Sequence, residues 1–153
     1  MIKKSRLILY ANTGGVFLVF DQLLKYLART NKDFNFYFYK NWIGWEYLAN
    51  NGIAFSLPVP NWLLIIITPF ILLFLGWLLT REKKNKHYIY LGIFLIISGA
   101  VSNFIDRVVY GVTIDYIRIF TSVINLADVF IVVGAGVWLW ASFSADEKVK
   151  EVR

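Results

Sequence analysis

Apolar residues occupy this chain in four long blocks, separated by stretches rich in charge or aromatic rings. The blocks are Leu7–Ala28, Trp62–Thr80, Tyr88–Ile105 and Ser122–Phe143. Each approaches or exceeds the ~18 apolar residues of a membrane-spanning helix. The pattern predicts four spans in one polytopic membrane domain covering residues 1–153, about 7–28, 62–80, 88–105 and 122–143. The first block resembles a cleavable signal peptide in its basic start. Its apolar run is too long for one, it contains Asp21 and Lys25, and no A-x-A site follows, so it reads as an uncleaved helix.

Between the first two spans lies a stretch of about 30–58 dense in aromatic residues, as an interfacial belt would be. "FNFYFY" is β-prone by residue type and "NNG" signals a turn. Short strands on the membrane surface are expected there. Pro58 and Pro60 keep the chain non-helical until the second span begins. The fold class predicted is therefore membrane all-α with a small extracytoplasmic β-sheet.

Charge sets the orientation. Lys3, Lys4 and Arg6 precede the first span, Arg81, Lys83, Lys84 and Lys86 join the second to the third, and Lys148, Lys150 and Arg153 follow the fourth. These are 10 of the 16 basic residues, all on one side, and the positive-inside rule makes that side cytoplasmic for both termini. The net charge of +6 is thus accounted for by a membrane rather than by nucleic acid. At 58% hydrophobic, the chain exceeds the roughly 45–50% of ordinary soluble domains.

Composition also narrows the chemistry. The chain has no Cys and one His, which removes a thiol nucleophile, a disulfide framework and a Cys-based metal site. No cofactor or metal is expected. His87, in the basic run "REKKNKHY", reads as a loop residue.

Carboxylates remain. Asp128 is placed about six residues into the fourth span, ~9 Å along a helix. A carboxylate inside a span costs on the order of 2.5–3.5 kcal/mol and faces a bundle interior or cavity. Its milder reading is an acid satisfying a helix N-terminus. Asp115 lies in "GVTIDYIRIF", where a strand would put Thr113, Asp115 and Ile117 on one face. An extended excursion that turns back into the fourth span can return Asp115 to Asp128. Two carboxylates in a poorly solvated place share a proton, so one activates water while the other protonates a leaving amine. That is aspartic-peptidase chemistry.

Three further groups stand out. Gly99, Ser102, Asn103 and Asp106 form one small, polar stripe at helical spacing, suited to close helix packing. Asn103 and Arg107 can hold a peptide backbone by hydrogen bonds. Asp21 and Lys25, at i and i+4, predict a structural ion pair. A Ser–Lys peptidase with Lys25 as base and Ser56 or Ser102 as nucleophile also stays open. So does a different class, a small proton-coupled transporter or channel subunit, because such proteins use intramembrane Asp and Lys.

Taken together the motifs resemble the signal peptidase II family. Its D-x-x-x-K is matched by "DQLLK", and its N-x-G-x-A-F-S by "NNGIAFS". Its G-G-A-x-G-N-x-x-D-R-x-x-x-G-x-x-x-D-F is matched by "SGAVSNFIDRVVYGVTIDY", and its F-N-x-A-D-x-x-I-x-x-G by "INLADVFIVVG". The resemblance implies an intramembrane aspartic endopeptidase of the bacterial inner membrane, with its active site at the extracytoplasmic face. It implies Asp115 and Asp128 as the catalytic dyad, and Asn50, Gly52, Asn103, Arg107 and Asn125 as substrate-binding residues. Asp21, Lys25, Gly99, Asp106 and Ala127 are then structural. The substrate implied is a diacylglyceryl-modified prolipoprotein, cut before its lipidated cysteine by a monomeric enzyme among membrane lipids. The chain departs from the pattern at Ser98 and Ser102, which stand for glycines and predict a looser approach of the third span to its neighbours. It also departs at Tyr116 and Ile124, which stand for Phe.

Overall fold

The computed structural model of the chain describes residues 4–52, 59–81 and 87–150, with side chains over 6–52, 59–81 and 87–144. Ala54, Phe55, Ser56, Pro58, Lys83, Lys84 and Lys86, and the terminal Lys3 and Arg153, lie outside the described residues. Four α-helices account for most of the chain: α1 (Lys4–Thr30), α2 (Asn61–Arg81), α3 (His87–Tyr110) and α4 (Leu126–Lys150). Each is long and apolar enough to cross a membrane. Four strands complete the fold: β1 (Phe36–Tyr39), β2 (Ile43–Asn50), β3 (Thr113–Ile119) and β4 (Ser122–Ile124). They form one antiparallel sheet in the order β1-β2-β3-β4.

α3 is the hub of the bundle and touches each of the other three helices. One apolar cluster, built on Leu75, Ile89, Ile93 and Ala141, joins α2, α3 and α4. A second, built on Ala28, Ile114 and Tyr116, joins the end of α1 to the underside of the sheet. Most other apolar side chains on the helices face outward, as expected when the surrounding solvent is lipid. Gly99 is buried on α3, and a Cβ there would collide with the Ala127 carbonyl and lie 2.8 Å from Ile131 Cγ1 on α4. Gly99 and the fully buried Ala127 are therefore the small pair that lets these two helices close up.

Among the boundaries that differ from the expected spans, three change the picture. α3 continues through Asp106 and Arg107 to Tyr110 and ends at Gly111, whose φ of +75° and N–H bond to the Arg107 carbonyl (3.1 Å) make a left-handed C-terminal cap. Residues 122–124, assigned to the fourth span by hydropathy, form strand β4 against β3, with Ile117 opposite Ile124. Apolar β-branched residues suit either state, and pairing to β3 decides between them. α4 therefore starts at Leu126 and Asp128 is its third residue, not one six residues deep. His87, expected in a loop, is the first residue of α3 and hydrogen-bonds Tyr10 of α1.

The sheet contains one irregularity that matters. Between the pairs Trp45–Ile117 and Leu48–Asp115, β2 advances three residues while β3 advances two. The extra residue is a β-bulge. Beyond it Leu48 pairs with Asp115 and Asn50 with Thr113, which sets the Asn50 side chain on the face that carries Asp115.

Candidate active site

A helix begins with four backbone N–H groups that lack intrahelical partners. In α4 all four are satisfied, and by residues of special interest. The Leu126 N–H donates to the Tyr116 hydroxyl (3.1 Å) and the Ala127 N–H to Asp21 Oδ1 (3.2 Å). The Asp128 N–H donates to Asn125 Oδ1 (2.9 Å), while the Val129 N–H makes the first intrahelical bond, to the Asn125 carbonyl (3.4 Å). Asp128 reaches back, its Oδ2 accepting the Asn125 N–H at 3.4 Å. Asn125 and Asp128 thus form a reciprocal capping box. The end that holds Asp128 is fixed from α1, from β3 and from its own cap.

Asn125 does more than cap. Its Nδ2 donates to Asp115 Oδ1 at 2.6 Å, so one side-chain amide holds Asp115 with its nitrogen and the Asp128 main chain with its oxygen. The other Asp115 oxygen accepts Asn50 Nδ2 at 2.8 Å, across the bulged register. Asp128 Oδ1 accepts Asn103 Nδ2 at 2.8 Å. Three neutral amides, from β2, α3 and the start of α4, therefore orient the two carboxylates. Asp115 is fully buried. Burial, and then the charge of Asp128, push its pKa up to about 7, although both amides favour the ionised form.

Beside this pair lies a second polar cluster. Lys25 Nζ sits 3.0 Å from Asp21 and 2.9 Å from Asp106, and all three side chains are buried. Asp21 also accepts from the Tyr116 hydroxyl (2.8 Å) and the Ser102 hydroxyl (2.5 Å). Asp106 accepts from the Ile114 N–H (3.0 Å) and from Gln22 Nε2 (3.0 Å). Burial, followed by the Asp21 charge, raises the Tyr116 phenol pKa, so it stays a donor. One contact joins the clusters: Lys25 donates to Asn103 Oδ1 at 2.8 Å, while the amide of Asn103 holds Asp128.

The remaining sequence candidates divide. Gly52 is buried, its N–H bonded to Asn50 Oδ1 (2.8 Å), and its carbonyl accepts Arg107 Nη2 at 3.5 Å. Arg107 thus belongs with Asn50 and Gly52 and not with its neighbour Asp106, which turns to Lys25. The polar stripe on α3 splits by function: Gly99 packs on α4, Ser102 and Asp106 face α1, and Asn103 bridges to Asp128. Ser102 Oγ does lie 3.2 Å from Lys25 Nζ. It is buried, it donates to Asp21, and Lys25 is bound to two carboxylates, so both side chains are engaged within the ion-pair cluster. The other nucleophile of that reading, Ser56, is outside the described residues. Among the described residues no group of three or more His, Cys, Asp or Glu side chains is arranged to hold a metal.

Two contributors escaped the sequence reading. Gln22 donates to Ser102 and Asp106, and its only signal was a polar residue one position after Asp21 in an apolar span. Tyr116 stands where the family pattern has Phe, and its hydroxyl ties α1 to the start of α4.

Comparison with known proteins follows this geometry. The sequence model of a family described as "Signal peptidase (SPase) II" matches residues 14–144. A lipoprotein signal peptidase of Sinorhizobium fredii is 31% identical, the match covering 90% of this chain and 88% of the relative. One of Bartonella tribocorum is 34% identical over 88% and 85% of the two chains. A solved structure described as a bacterial membrane enzyme superposes with a TM-score of 0.84 at 25% identity, over 96% of this chain and 93% of the other. A second, described in the same terms, gives 0.76 at 26% identity, over 92% and 94%.

Proposed function

The chain belongs to the signal peptidase II family, and we propose that Asp115 and Asp128 are the carboxylates with which it works. It is a bacterial membrane protease that cleaves signal peptides from prolipoproteins. The observation that carries the dyad is the Asn125 side chain, hydrogen-bonded to the Asp115 carboxylate and to the Asp128 main chain at once. Asn50 and Asn103, from more distant elements, reach the same two acids, and the groups that orient them are neutral.

Neutral partners suit the reaction. A cation would hold both acids ionised, whereas amides orient them and leave them free to exchange a proton. With one proton between the two, the ionised member takes a proton from water as the water attacks the scissile carbonyl. The other protonates the departing amine. The apparent pKa values of such a pair belong to both residues together, so neither is given a fixed role. Asn50, Gly52 and Arg107, gathered at one edge, are the groups that hold the substrate backbone. The cut falls before a diacylglyceryl-modified cysteine, whose acyl chains remain in the bilayer.

The same reading orients the enzyme. Basic residues collect at the start of α1, at the end of α2 and after α4, which supports cytoplasmic termini. Asp115 and Asp128 then lie at the extracytoplasmic face, with the aromatic sheet on the membrane surface. Every site group comes from one chain, so a monomeric membrane domain suffices. The proton-coupled transporter has no comparable support: its acids would have to line a path through the bilayer, and Asp115 and Asp128 gather at one end of the bundle.

The test is to assay Asp115→Asn and Asp128→Asn in liposomes with a diacylglyceryl-modified precursor. Each is expected to lose activity by about 10³-fold, within the range for removing an acid–base group. Full activity in either would overturn the dyad.

A further inference from the structure

One cavity away from these carboxylates lies between the C-terminal half of α1, the end of α3 and the start of β3. It holds about 370 Å³, and none of Asn50, Asn103, Arg107, Asp115, Asn125 or Asp128 lines it. Its lower wall is apolar, with Val19 and Leu23 exposed on the outside of α1. Its upper end carries Arg29, in the last turn of α1. From Val19 to Arg29 is about 15 Å along a helix. Because α1 spans the membrane, Arg29 sits at an interface while Val19 sits well inside the hydrocarbon, whichever way the chain is inserted.

Arg29 is held in an unusual state. Its guanidinium carbon lies 4.5 Å from the ring centre of Tyr110 and 5.8 Å from that of Tyr26. Contact with ring faces uses none of the guanidinium N–H donors. Among the described residues no carboxylate pairs with it and no acceptor takes a hydrogen bond from it. The other charged group in the lining is Lys25, also a cation, whereas Asp21 and Asp106 are not part of the lining. The slot is therefore cationic at the membrane interface and apolar below, open sideways to lipid.

We infer that this slot binds one anionic phospholipid, its phosphate received by the Arg29 fork and one acyl chain laid along Val19 and Leu23. The phosphate is the group whose oxygens match the guanidinium fork, by two parallel charged hydrogen bonds. The inference does not depend on the roles of Asp115 and Asp128.

Native mass spectrometry of the whole enzyme in mild detergent, titrated with dioleoyl phosphatidylglycerol, tests it. The wild type should retain one lipid. Arg29→Gln should weaken retention by about tenfold or more, the loss of a charged bidentate contact. Leu23→Trp, on an exposed position that folding tolerates, should block the slot to a similar degree and stands in should Arg29→Gln fail to fold. Lys32→Gln, a cation nearby in sequence but outside the slot, should bind as the wild type does. Uncharged dioleoylglycerol should bind weakly, and millimolar inorganic phosphate should not displace the lipid. Equal losses in Arg29→Gln and Lys32→Gln would reduce the effect to diffuse surface charge and overturn the site. Tight binding of dioleoylglycerol would make it an acyl-chain slot only, and displacement by inorganic phosphate would make it a free-anion site; either result overturns the inference.

Discussion

Two groups of carboxylates lie side by side in this protein, and they are held in opposite ways. Asp21 and Asp106 share one buried ammonium, Lys25, and are further bound by hydroxyls and main-chain N–H groups. Among the described residues, Asp115 and Asp128 receive only the neutral donors of Asn50, Asn103, Asn125 and the Asn125 main chain. A cation fixes a carboxylate as a charge and spends it on structure. An amide fixes its position and leaves its proton affinity open. What an acid can do here is decided less by its burial, which Asp115 shares with Asp21 and Asp106, than by whether its partner carries charge.

The sharpest way to break the comparison is to remove from each group the charge it depends on. Asp128→Asn keeps shape and hydrogen-bonding capacity while removing the titration, so activity should fall by about 10³-fold with the melting temperature held or raised. The matching change in the other group, Lys25→Met, strands Asp21 and Asp106 without their cation. Breaking a buried pair in this way costs about 3–5 kcal/mol, read as a large drop in melting temperature in detergent. If Lys25→Met stayed as stable as the wild type and lost only activity, the division between structural and reactive acids would be wrong.

That division was partly legible before any coordinates. The i, i+4 spacing of Asp21 and Lys25 announces an ion pair, and the four hydropathic blocks announce the spans. The strand around Asp115 could be read from its alternation. What could not be read is non-local. Asp106 joins Lys25 only because α3 runs five residues past its apolar block. Asn50 meets Asp115 only because β2 carries one extra residue, and nothing in "IGWEYLAN" marks where a bulge falls. Residues 122–124 are apolar and β-branched enough to prolong a span, and their pairing with β3 is a tertiary fact. The third-residue position of Asp128 follows from that pairing, and with it the capping box.

Acidity offers a finer test of the same contrast. Asp115 has its folded pKa raised to about 7 from an ordinary 3.8. The folded state therefore binds this proton more tightly than the unfolded state does. Between about pH 4 and 7 the unfolded chain has released the proton while the native chain keeps it, so stability falls as pH rises through that window and levels off above it. The effect is at most a few kcal/mol. Melting temperatures across the window should decline in the wild type and stay flatter in Asp115→Asn. A wild type whose stability instead climbs over that range would mean that Asp115 is ionised at little cost, as an acid with a charged partner would be.

The smallest expected effect falls on the seam between the groups. Tyr116 stands where the family pattern has Phe, so Tyr116→Phe should fold, and the substitution deletes one oxygen. That oxygen donates to Asp21 Oδ1 and accepts the first N–H of α4. Its loss removes one donor from the charged group and one acceptor from the helix end that carries Asp128. A cost of about 1–2 kcal/mol is expected, as for a hydrogen bond whose buried partner is left unpaired. Ser102→Ala removes the donor on the other Asp21 oxygen. Because the two hydroxyls share one carboxylate, the double variant should depart from additivity by about 0.5 kcal/mol or more. If the seam transmits only position, both variants keep the wild-type pH–rate profile and lose less than about tenfold in rate, whereas removing an acid–base group costs 10²–10⁴-fold. A shifted profile in Tyr116→Phe would instead show that the charge of Asp21 reaches the reactive pair, and the two groups would have to be treated as one titrating unit.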